Sequence, residues 1–148
     1  MLRYSIFIGL FSIFLCADTL KETVQKDRFL SQGYTGFVKY DNREYLISVG
    51  VSPIVDGSVK SKINAIKAAK ILAQRGLTKF IHLVKLTSKE ELTTVTVTTK
   101  EGKKITHQYN ENFIEIIREE SDGILRNVIE IGKWKKDGEY YFALGVEG

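Results

Sequence analysis

Residues 58–85 read SVKSKINAIKAAKILAQRGLTKFIHLVK. Ala65, Ala69, Ala73, Gly76 and Phe80 recur every three or four positions, flanked by Ile66, Leu72, Leu77 and Leu83, which is the period of one helix face. A stripe of small side chains lets a helix lie close on a sheet or another helix. Lys60, Lys67, Lys70, Arg75 and Lys79 fall largely outside the stripe. A glycine costs about 1 kcal/mol against alanine inside a helix. Gly76 lies on the stripe itself, so one continuous helix is expected.

On both sides of this helix the period changes from helical to two. Before it, Tyr45, Ile47, Val49 and Val51 alternate onto one face of a strand over residues 44–51, closed by Ser52-Pro53 and Asp56-Gly57. After it, residues 93–99 (TTVTVTT) and 104–109 (KITHQY) flank Lys100-Glu101-Gly102-Lys103 as a hairpin. Its many threonines and few large apolar groups suggest a partly exposed strand or a sheet edge. Asn110 or Asn112 is placed to cap a short helix over residues 113–120, with Asp122-Gly123 as its stop. Residues 124–134 and 139–146 are apolar, aromatic-rich runs joined through Asp137-Gly138, a strong hairpin signal. The expected fold is α+β: one long helix packed on a mainly antiparallel sheet, with a C-terminal aromatic hairpin.

The N-terminus bears on compartment. Arg3 precedes an apolar run, residues 4–17 (YSIFIGLFSIFLCA), and the next charge is Asp18. About 14 residues reach about 21 Å as a helix, against a bilayer core of about 30 Å, so the run reads as a secretory signal rather than a span. Cleavage after Ala17 is the leading expectation. The alternatives are lipidation at Cys16 and a retained segment. Phe14 and Leu15 stand where lipoprotein signals carry small residues. Cys16 is the only cysteine, so cleavage after Ala17 removes disulfides and thiol chemistry from the mature chain.

The expected organisation is a signal over residues 1–17, an N-terminal helix and spacer over 18–43, and the α+β domain over 44–148. Thr19-Leu20-Lys21-Glu22 fits a capping box that opens the short helix, running to about Leu30. The remaining 131 residues or so suffice for one domain with a core. The formal charge of +4 becomes about +3 without Arg3, weak grounds for nucleic acid as a partner.

No motif announces chemistry. His82 and His107 have no neighbouring cysteine and no metal-ligand spacing, and read as solvated or locally bonded imidazoles. There is no nucleophile elbow, phosphate loop or dinucleotide fingerprint. Glu90-Glu91 and Glu119-Glu120 are adjacent pairs that diverge on either secondary structure, so they read as solvated surface. A non-enzyme without cofactor or metal is the expectation.

The strand at residues 45–51, the alanine-striped helix, and Trp134, the Asp-Gly turn and Tyr140-Tyr141-Phe142-Ala143-Leu144 together resemble the Lpp-twenty-type family of bacterial envelope lipoproteins. That family is itself similar to flagellar outer-membrane accessory lipoproteins and, distantly, to a secreted dodecin-like toxin domain. The likeness spans residues 44–146. It implies a small non-catalytic domain in the periplasm, at the outer membrane or secreted, serving motility, adhesion or envelope assembly. Its implied partners are envelope or flagellar proteins or further copies of itself, with peripheral membrane association. The expected contact residues are Trp134, Tyr140 and Tyr141 on the aromatic hairpin and Thr94, Thr96 and Thr98 on a sheet edge. The alternative is a periplasmic module that holds a small apolar ligand between the long helix and the sheet.

Overall fold

The computed structural model describes residues 19–88 and 91–148; the apolar run, Cys16 and the expected cleavage point lie outside them. Thr19 caps α1 (Leu20–Lys26), accepting from the Glu22 amide at 3.2 Å. The helix stops short of Leu30 because the Asp27 carboxylate accepts from the amides of Phe29 and Leu30, both at 2.9 Å. Those bonds turn the chain into a 3-10 turn, Leu30–Gln32. The strands β1 (Thr35–Tyr40) and β2 (Arg43–Pro53) follow, then α2 (Val59–Leu86), the hairpin β3 (Thr94–Thr98) and β4 (Lys104–Gln108), α3 (Glu111–Arg126), and β5 (Ile129–Lys136) with β6 (Glu139–Glu147).

Four strands form an antiparallel sheet in the order β1-β2-β6-β5. Its two hairpins turn on residues with positive φ, Asp41 and Asn42 in one and Asp137 and Gly138 in the other. Such turns match the right-handed twist of paired strands. The fold class follows the sequence reading: α2 packs on a mainly antiparallel sheet. The N-terminal segment is more than a spacer. Val24 and Leu30 are fully buried, and β1 pairs with β2 along its length.

Alternation on β2 assigns the two faces of the sheet. Tyr45, Ile47 and Val49 join Val24, Phe29, Leu30, Tyr141 and Ala143 in one cluster, against which Val95, Val97 and Ile105 of the β3–β4 hairpin pack. Leu46 points the other way, into the cluster built by Leu77, Phe80, Ile81 and Val84 of α2 and Phe113, Ile114 and Ile117 of α3. The sheet is therefore covered on both faces, by α2 on one and by α1 with the hairpin on the other.

The small stripe of α2 is used for close approach. A Cβ built on Gly50 would lie 1.9 Å from the Ala69 carbonyl oxygen, and one on Gly76 would lie 2.8 Å from Ser48 Oγ. The helix runs through Gly76 unbroken. Ser48, fully buried, donates to the Ala73 carbonyl at 2.6 Å and meets Thr35 Oγ1 at 2.9 Å. A buried hydroxyl is thereby satisfied across the helix–sheet seam. Ser48→Ala leaves the Thr35 hydroxyl without this partner and is expected to cost about 1–2 kcal/mol, read as a lower urea midpoint at unchanged slope.

Two helix ends are closed by side chains, one from a distant helix and one from the asparagine expected there. Arg118 of α3 donates to the carbonyls of Val84 at 3.3 Å and Thr87 at 2.8 Å, capping the end of α2. Asn110 caps α3, accepting from the Phe113 amide at 3.0 Å. The expected stop at Asp122-Gly123 is overridden: α3 bends at Glu120 but continues to Arg126, because Ser121 and Ile124 are buried beyond the bend.

Candidate interaction surface

The Thr-rich hairpin forms because Thr/Val alternation on β3 meets alternation on β4. Thr94, Thr96 and Thr98 face outward opposite Gln108, Thr106 and Lys104, and all six are exposed. Thr96 and Thr106 share a hydroxyl contact of 2.9 Å. Val95, Val97, Ile105 and His107 face inward. The turn closes with Thr99 Oγ1 accepting from the Lys103 amide at 3.1 Å and with Gly102 at φ 82.

This hairpin is a separate two-stranded sheet, so of the two expected positions residues 93–99 take that of a partly exposed strand and not an edge of the main sheet. Its valines and Ile105 bury onto the α1 side of that sheet, and this burial places it on a face. Two side-chain bonds tie it to main-sheet strands, the Lys100–Glu139 ion pair at its turn and a bond to His107 in its middle. His107 Nε2 accepts from the Phe37 amide of β1 at 2.9 Å. The imidazole stacks on Phe29 with ring centres 4.3 Å apart and planes within 11°. Gly36 makes the space, since a Cβ there would lie 2.6 Å from Nε2.

Of the two states that its sequence context allows, solvated or bonded, His107 takes the bonded one, with a partner 70 positions away in the chain. An Nε2 that accepts requires the tautomer with its proton on Nδ1. Burial pushes the His107 pKa below its ordinary value of 6.5, and the nearby Asp27 carboxylate opposes that shift. A depressed folded value means that the unfolded chain binds the proton more readily. The stability from this group is thus complete above about pH 6.5 and is lost as pH falls toward the folded value.

The aromatic hairpin is spent differently. Tyr141 is buried, and Trp134, half-buried, stacks on it with centres 5.5 Å apart and planes within 7°. Tyr140 is half-buried. It neighbours Tyr141 on β6 and so points to the other face of the sheet, away from the Trp134–Tyr141 stack. Near the stack a polar cleft of about 260 Å³ gathers Gln32, Lys100, Lys136, Glu139 and Tyr141 from the 3-10 turn and two hairpin turns. Lys100 and Glu139 form an ion pair across it. This hydrogen bond raises the Lys100 pKa, and burial, then Glu139, raises that of Tyr141, so the phenol stays protonated.

The remaining candidates scatter. His82 is exposed on α2, Glu91 is exposed, and Glu119 and Glu120 are exposed on α3. No group of three or more His, Cys, Asp or Glu placed to hold a metal occurs among the described residues. Likewise, among these residues no helix is long and apolar enough to cross a membrane. Of the small residues Ala65, Ala69, Ala73 and Gly76, where a ligand between helix and sheet was the alternative expectation, the last three bring helix and sheet atoms into direct contact, while Ala65 lines an open cleft of about 450 Å³ with Ser52, Pro53 and Ala68. Sequence reasoning missed the joint between His107, Phe37 and Gly36. Its only trace is a glycine in a strand, a mark of close approach by another group. No family model matches the chain, and the searches of curated proteins and of solved structures return no match.

Proposed function

We propose that the chain is an exported, non-catalytic envelope protein that works by protein contacts through the β3–β4 hairpin. The observation that carries this reading is the contrast between two strands without an outer strand neighbour. β5, at the end of the main sheet, carries Lys133, Lys135 and Lys136, the charged guard that natural edges use against unwanted pairing. β3 has no strand beside its outer edge among the described residues and carries no charge, only TVTVT with its threonines exposed. An uncharged strand with free backbone groups and a flat hydroxyl face suits pairing with another strand.

The compartment rests on residues 1–17, and the partner class on the family resemblance. The partners proposed are envelope or flagellar proteins or a second copy of the chain, in the periplasm or at the outer membrane. The test places a photo-crosslinking side chain at position 96 in cells, with position 67 on the exposed face of α2 as control. The expected result is an adduct with an envelope protein or with the chain itself at 96 only. It is lost in a Thr98→Glu variant whose stability stays within about 0.5 kcal/mol of the parent. Absence of any adduct at 96, with a strict monomer by light scattering at every concentration, overturns the reading. Intact mass checks export separately, with a start at Asp18 expected.

A further inference from the structure

His107 belongs to the hairpin just assigned a contact role, and its geometry is that of a fastener. Its Nε2 takes the Phe37 amide proton, which the register of β1 aims away from β2: the two-residue turn closes on Tyr40 and Arg43, so Phe37 and Lys39 alternate outward. In effect the imidazole does for one residue what a neighbouring strand would do. Beside it, β1 and the end of β4 part to leave a cleft of about 450 Å³ flanked by Val38, Lys39, Gln108 and Asn110.

We propose that His107 is a proton-operated latch that fastens the β3–β4 hairpin to the edge of β1 when neutral and releases it when protonated. The proposal rests on the contact reading above, since it assigns that hairpin its regulation. A protonated imidazole has two N–H groups and no acceptor, so it cannot keep the Phe37 bond and presents a donor to a donor. The groups facing it are few. β1 offers Gly36 and Phe37, and β3 offers Val95 across the pair. Tyr109 lies on its own segment at 6.0 Å between ring centres, and Tyr34 stacks on the far side of Phe29. Asp27 at the end of α1 is the charged group that acts on it and favours the proton. The tip of the hairpin is tied separately, by the ion pair of Lys100 with Glu139, so the release is confined to the middle of the hairpin.

Amide exchange and nitrogen NMR on the full chain test this between about pH 8 and about pH 4.5, a range that brackets histidine. At the upper end the His107 ring is expected as the Nδ1–H tautomer. On acidification, Phe37 amide protection, corrected for intrinsic exchange, is expected to fall about fivefold as the imidazole titrates, the equivalent of one lost hydrogen bond. His107→Gln puts a non-titrating acceptor near the Nε2 position and is expected to hold its protection across the range. An Nε2–H tautomer at pH 8, a ring that stays neutral to pH 4.5, unchanged Phe37 protection while the ring titrates, or an equal loss in His107→Gln overturns the latch. These readouts need no partner, so a failed crosslink at position 96 leaves them standing and they fail independently of it.

Discussion

Gly50→Ala is expected to destabilise the chain by about 3 kcal/mol or more, at the top of the usual range for overpacking. The added methyl would sit 1.9 Å from the Ala69 carbonyl oxygen and 2.6 Å from the Ala73 amide nitrogen. Both are backbone atoms of α2, so no rotamer change makes room; the whole helix must lift from β2 and β6. Lifting it also stretches the bond from Ser48 to the Ala73 carbonyl, 2.6 Å long in the structure. Urea unfolding checks this, with a fall in midpoint at constant slope. Ala69→Gly in the same chain is expected to give no rescue, because the obstacle is a carbonyl. Gly57→Ala is the control: nothing lies within 4 Å of its added Cβ, and a change within about 0.5 kcal/mol is expected.

Phe37→Ala is expected to cost about 3–5 kcal/mol, the range for emptying a buried aromatic site. Phe37 is buried at the meeting point of four elements. Its ring centre lies 5.6 Å from Phe80 of α2, 6.0 Å from Tyr109 after β4 and 5.4 Å from Phe113 of α3. Three rings lose a neighbour at once, and the pairs are tilted or edge-on, arrangements that add to simple area burial. The backbone amide that meets His107 survives the change, so the loss measures packing rather than the hydrogen bond. Phe37→Leu refills part of the space, and its loss of unfolding free energy is expected to be less than half that of the alanine variant.

The long helix was legible because its signal is local: a repeat of small residues with lysines outside it predicts both its length and its close-packed face. The Asp137-Gly138 hairpin was legible for the same reason. β1 was not, since the residues after the first short helix read only as a spacer up to 43, whereas Gly36 within them is the space that His107 fills, 71 positions away in the chain. The end of α3 was misread because Asp122-Gly123 carries stop chemistry, and only the burial of Ser121 and Ile124 against other elements overrides it. The hairpin's alternation and partial exposure were legible, but what lies under its inner face was not, because alternation specifies two faces and leaves open which sheet covers the inner one. Of the candidate surface, the outward threonines were read from the sequence. The histidine that fastens them became visible only once β1 and β4 were side by side.

Trp134 is the chain's single tryptophan, and it lies flat against Tyr141 on the central strand β6. Its fluorescence is therefore an internal optical gauge of whether the C-terminal strands are closed, since the stack on Tyr141 is lost when they part. The gauge does not touch His107. Loosening confined to the middle of the hairpin, with its tip still tied and β5 and β6 zipped, is expected to keep the native emission, so colour separates local loosening from global melting in a single cuvette.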